Sequence, residues 1–176
     1  RCEAMSKDFE EIEPGLRSKR PVIRLTHSDR RAIHCYYTLS PISADGERLV
    51  YFEYTRARVD RRPETLEGRV IVAGADGSSP RVLLETGCHG PSEGPGHQWV
   101  GNTHRVAVSA PDEDGEFRWR VIDADTDECW EGEGMLRSSD PGGRYGFLQT
   151  REDVHLRAEE QGRTLAPEDV AAQVVD

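Results

Sequence analysis

No stretch of the 176-residue chain approaches the roughly eighteen consecutive apolar residues that a membrane helix requires, which excludes a helical span. Lysine is nearly missing, since 21 of the 23 basic residues are arginine, the cation best suited to bidentate carboxylate recognition. Cysteine is sparse. Cys2, Cys35, Cys88 and Cys129 lie 33, 53 and 41 residues apart with no Cys-x-x-Cys pair, so no zinc ribbon or redox motif is readable. Free thiols of a reducing compartment are the expectation, although an even count leaves disulfides open. A Gly-rich phosphate loop, a nucleophile elbow and a Ser-His-Asp signature are also lacking, which leaves nucleotide-binding and hydrolase readings without support. The chain opens at Arg1 instead of methionine, so an upstream start and leader are left open, and a soluble, cytoplasmic protein is the expectation.

Charge is present but uneven. The net charge is −10; residues 1–62 carry 13 basic and 10 acidic side chains, while residues 63–176 carry 10 and 23. Nucleic-acid binding through released counterions needs a basic stripe, and the acidic excess argues against it. The cluster Arg17, Lys19, Arg20, Arg24, Arg30 and Arg31 is either a solvated segment or a face for an acidic ligand.

Turn signals recur ahead of strand-forming runs. "SADGERLVYFEY" (43–54) has a cousin in "SDPGGRYGFLQT" (139–150), and "GRVIVAGADGSSPRVLLETG" (68–87) reads as strand, Asp-Gly turn, strand. "HRVAVSA" (104–110) and "FRWRVIDADTDECWEGEG" (117–134) repeat the hairpin, with the turn now at Asp125-Thr126. Arg48, Arg105 and Arg144 precede the apolar strands at offsets of 57 and 39, a mean of 48, and the turns at Asp76 and Asp125 are 49 apart. Periods of about 40–50 residues with several strands each are those of propeller blades, which bury two apolar faces by stacking. A β-sandwich, with strands every 8–12 residues or so, is the alternative.

The expected fold is therefore all-β: a β-propeller fragment of about two to three antiparallel blades over residues 21–157. Residues 1–20 read as a short helical or extended arm, and residues 158–176 as a C-terminal helix started by Pro167, Glu168 and Asp169 with Val170, Val174 and Val175 on one face. A closed propeller needs at least about four blades, so the missing ones are expected from the same gene or by self-association.

The stretch "VIRLTHSDRRAIHCYYTLSPISADGERLVYFEY", with Leu25-Thr26, His34, Tyr36-Tyr37 and Asp45-Gly46, resembles the opening blade of the oligogalacturonate lyase family. The hairpin after it is similar to that family and to the propellers of Tol translocation protein B. The likeness covers about residues 20–150. It implies metal-assisted β-elimination on short uronate-containing oligosaccharides, with manganese on the propeller axis in the full-length protein. The chemistry requires a cation to neutralise the uronate carboxylate and a base for the C5 proton. A propeller that only binds or scaffolds is the alternative.

Candidate substrate-binding residues are His34, Tyr36, His97, Gln98 and Trp99. His34 and Tyr36 precede a strand where propeller strands start near the channel. The loop "CHGPSEGPGHQW" gathers His89, His97, Gln98 and Trp99 among glycines and prolines, and loops on rigid scaffolds often carry function. His89, Asp153 and His155 are the candidate metal ligands; the last two share one side if their segment is a strand. A packed histidine, a plain connecting loop and a surface ion pair are the respective bland alternatives. Trp119, between Arg118 and Arg120, reads as core, and His27 and His104 suggest no constellation.

Overall fold

Alternating β-branched and aromatic residues become strands wherever the sequence carries them. The computed structural model describes residues 11–12, 22–26, 30–55, 66–88, 94–112, 114–143, 145–149 and 172–174, and among these the only regular elements are strands. β1 (Glu11–Ile12) and β2 (Val22–Ile23) pair as an antiparallel ribbon. β3 (Ala32–Ile33), β4 (Arg48–Tyr54), β5 (Leu66–Gly74) and β6 (Arg81–Cys88) form a first four-stranded antiparallel sheet in chain order. β7 (Gln98–Trp99), β8 (Arg105–Pro111), β9 (Phe117–Asp123) and β10 (Cys129–Glu133) repeat that layout in a second. β11 (Met135–Ser139), β12 (Tyr145–Gln149) and β13 (Ala172–Val174) make a third, three-stranded sheet. None of the sheets closes on itself.

The repeated aspartates are explained by local hydrogen bonding. Asp45 Oδ1 accepts from Ser43 Oγ at 2.6 Å and from the Glu47 amide at 3.0 Å, and Asp76 Oδ1 accepts from the Ser78 amide at 2.7 Å. Such a side chain mimics a backbone turn and fixes where the chain reverses. In the β9–β10 hairpin the carboxylate that closes the turn is Asp123, which accepts from the Asp125 and Thr126 amides at 2.9 and 3.1 Å. Asp125 is thereby left to point elsewhere.

Strand parity assigns the two faces of each sheet to different cores. Val50, Phe52 and Tyr54 of β4 join Val70 and Val72 of β5 against Trp99, Val106 and Val108 of the second sheet. On the other face of the second sheet, Ala107 and Val121 meet Leu136 and Leu148 of the third, with Trp119 and Trp130 packed alongside. Leu49, Tyr51, Ile71 and Ala73 form a separate cluster on the far face of the first sheet with Leu25, Ala32 and Ile42. The second sheet is thus buried between the first and third. Burying each such side chain contributes roughly 1.5–3 kcal/mol, so the two inter-sheet clusters dominate cohesion. β4 and β8 are buried on both faces, whereas the last strands, β6 and β10, carry exposed positions.

The C-terminal helix expected over residues 158–176 is corrected at Ala172–Val174, which pair with Tyr145–Phe147 of β12 as a strand. The Pro-Glu-Asp start implied a helix, but the β-branched valines near the end suit a strand equally, and the open edge of β12 supplies backbone partners. The rest of that segment, with Val170 and Val175, lies outside the described residues. In the N-terminal arm Glu11–Ile12 is extended.

Candidate functional site

The first strands of the three sheets, β3, β7 and β11, are each preceded or followed by the loops that the sequence marks as unusual. Between them opens a cleft of about 500 Å³. Tyr36 and Thr38 line it from the loop after β3, Gly96 and Gln98 from the entry to β7, and Arg137 and Ser138 from β11, with Phe147 and Gln149 of β12 at its side. Arg137 is the only charged residue in this lining among the described residues.

The loop before β7 is held by its glycines and by β8. Gly94 and Gly96 have φ of 60° and 62°, a region that side-chain-bearing residues rarely adopt. This conformation brings the Pro95 carbonyl to the Ser109 amide at 2.7 Å. Ser109 Oγ in turn accepts from the Leu136 amide at 2.9 Å, which pins β11 to β8. Gln98 then reaches across, its Nε2 donating to the Arg137 carbonyl at 3.2 Å and, more weakly, to the Leu136 carbonyl at 3.4 Å. Arg137 Nε donates to Gln149 Oε1 at 2.7 Å. Gln98 and Gln149 are both buried, so the cleft floor is built of side chains with fixed orientation.

The remaining sequence candidates are placed differently. His97 is fully buried behind Gly96 and Gln98, 6.3 Å from the Phe52 ring centroid, and neither ring nitrogen has a hydrogen-bond partner. Burial first, and the neighbouring His34 second, push its pKa down to about 3, so the ring is neutral at ordinary pH. His34 itself is exposed and does not line the cleft. Trp99 is a core residue: its indole lies in the inter-sheet cluster, and its Nε1 donates to the Pro41 carbonyl at 2.9 Å. It therefore sits beneath the cleft and not on its wall. Tyr36 is exposed there, its ring 4.2 Å from that of Tyr37. His89, Asp153, His155 and His27 lie outside the described residues, as do Cys2, Arg17, Lys19 and Arg20. Arg30 pairs with buried Glu53 at 2.9 Å and Arg31 lies over the Tyr54 ring at 5.3 Å. Among the described residues no group of three or more His, Cys, Asp or Glu is placed to hold a metal, and Cys35, Cys88 and Cys129 are free thiols.

Two polar clusters escaped the sequence reading. His104 bridges two carboxylates, with Nε2 2.7 Å from Asp45 Oδ2 and Nδ1 2.9 Å from Asp125 Oδ2, while Arg48 donates to Asp125 Oδ1 at 2.6 Å. The hydrogen bonds to Asp45 and then Asp125 raise the His104 pKa, and Asp125 is lowered by His104 first and Arg48 second. Arg81 adds a parallel tie to Asp127 at 2.6 Å. The second cluster is Glu53 with Arg30 and Arg69, a buried carboxylate facing two guanidinium groups. No local pattern in the sequence signals the first, since its members come from different sheets.

Comparison of the chain with known protein families, curated proteins and solved structures found no match. The molecule is defined by its own geometry as an all-β protein of successive antiparallel sheets with a cleft at their first strands.

Proposed function

We propose that the stacked sheets are blades of a β-propeller and that the cleft beside their first strands binds short uronate-containing oligosaccharides. The observation that carries this reading is the cleft lining among the described residues: an apolar wall of Leu39, Met135, Leu136 and Phe147 that also carries neutral hydrogen-bonding groups, an exposed tyrosine ring and one cation, with no carboxylate, in a chain of net charge −10. An acidic protein that keeps its acids away from one concave surface is suited there to a ligand that carries negative charge. Amide and hydroxyl groups match sugar hydroxyls, and Tyr36 offers a ring face for a pyranose.

The propeller reading is supported by the order of burial as well. Each four-stranded sheet runs from a first strand at the cleft to an exposed last strand, and the sheets stack in chain order, as blades do around an axis. Three sheets leave such a ring open, so further blades would come from more chain or from a second copy.

For lyase chemistry, the cation would neutralise the uronate carboxylate and so acidify the C5 proton. Manganese, as the resemblance to oligogalacturonate lyases implies, would add Lewis acidity, but among the described residues no group of three or more His, Cys, Asp or Glu is placed to hold it. A second reading, binding without turnover, is favoured by a specific observation: among the described residues no imidazole or carboxylate able to act as the base lines the cleft.

Titration of di- and trigalacturonate into the protein, with and without manganese, tests both readings when combined with ultraviolet detection of an unsaturated uronate product. Binding with product formation supports the lyase. Binding without product supports the binding module, and absence of binding overturns the oligosaccharide reading.

A further inference from the structure

The pairing of β11 with β12 slips by one residue. Leu136 is opposite Leu148 and Ser138 is opposite Phe147, so Arg137 between them has no partner across the ladder and forms a β-bulge. Bulges bend a strand locally and re-aim a side chain, and they are concentrated beside functional sites. Here the residue so re-aimed is the one cation among the described residues of the cleft lining.

Two buried glutamines from different sheets grip the bulge. Gln98 of β7 donates to the Arg137 carbonyl, and Gln149 of β12 accepts from Arg137 Nε at 2.7 Å. A guanidinium held at Nε presents its two terminal nitrogens as a fork of parallel donors, which matches the two oxygens of a carboxylate. Arg137 has no carboxylate partner among the described residues, in contrast to Arg30, Arg48, Arg69, Arg81, Arg105, Arg118 and Arg120. Gln98, part of the cleft lining, gives its amide nitrogen to the backbone, so the acceptor it can offer a hydroxyl is Oε1.

We propose that Arg137 is the carboxylate-recognising residue of the cleft, that Gln149 is its positioning residue, and that Gln98 Oε1 receives a hydroxyl of the same sugar. This rests on the oligosaccharide reading and makes it specific: the cleft takes one uronate carboxylate at the bulge, and selectivity for acidic over neutral oligosaccharide resides in the Arg137–Gln149 pair. Lysine in place of Arg137 would keep the charge and lose the fork.

The test is calorimetric titration of the full chain with trigalacturonate, its fully methyl-esterified form and inorganic phosphate. The native protein is expected to prefer the free acid to the ester by about tenfold or more, the range of a charge-assisted hydrogen bond. Arg137→Gln should abolish that preference, bringing the affinity for the free acid down to that for the ester. Gln149→Glu, almost the same in shape, should pair with Arg137 and lower the acid-to-ester ratio with no change in far-ultraviolet circular dichroism. A preference that survives in Arg137→Gln overturns the seat and leaves the oligosaccharide reading standing. If the native protein binds neither trimer, that reading falls and the seat with it. Phosphate that binds as tightly as free trigalacturonate would overturn the assignment to a carboxylate.

Discussion

His97 and His104 are the same residue type in opposite circumstances. His104 is shared by two carboxylates and has a raised pKa, so the stability it contributes is fully present below its unfolded value near about 6.5 and is lost as pH rises through the higher folded value. Asp45 and Asp125 are lowered, Asp45 chiefly by the Ser43 hydroxyl, and their contribution is lost as pH falls through their folded values. The clasp is therefore strongest in mildly acidic solution. His104→Gln should depress the melting temperature more at about pH 5.5 than at about pH 8.5, and equal depression at both would show that the charge on His104 does not contribute. Buried His97, with two nitrogens lacking partners, costs about 1–3 kcal/mol for each unmet polar group. His97→Leu, of similar volume, should accordingly leave stability unchanged or raise it by about 1 kcal/mol in urea denaturation. A clear loss would mean that the imidazole has a partner in solution, such as an ordered water.

At the scale of the element, Phe52 is the side chain on which the first and second sheets most depend, for it is wholly buried between Val70 and the strands of the second sheet. Phe52→Ala should cost about 3–5 kcal/mol, read as a lowered urea midpoint with little change in slope. Strands such as β4, β5, β8 and β9 were legible because Val, Ile, Tyr and Phe alternate between aspartate-closed turns, and that punctuation is local chemistry. The two-residue strands β3 and β7 were not, since a pattern of period two needs more residues than they have. At Ala172–Val174 the sequence reads as helix while the chain forms a strand, because alanine and valine there fit both states and the edge of β12 supplies backbone partners. The cleft was half visible: Tyr36 and Gln98 stand in stretches that the sequence marks as unusual, while Arg137 is distinguished only by a slip in register that no local pattern announces. The clasp at His104 joins residues 59 apart, and only the stacking of two sheets brings them together.

For the whole molecule, an unclosed stack has strand edges and a terminal sheet face that invite pairing with other chains. Residues 1–176 expressed alone should self-associate, with a sedimentation profile that shifts to larger species as concentration rises; a monodisperse monomer over the same range would show that the stack is self-sufficient. The arrangement of the cores carries one more consequence. Each inter-sheet cluster joins sheets that are consecutive in the chain, and each hairpin joins adjacent strands, so every large contact surface becomes available in the order in which the polypeptide leaves the ribosome. The first sheet has its partner as soon as β8 and β9 emerge, and nothing in either shared core waits for a strand made before it. Synthesis can thus proceed as accretion, one sheet laid on the last, with the newest face the one left exposed to solvent.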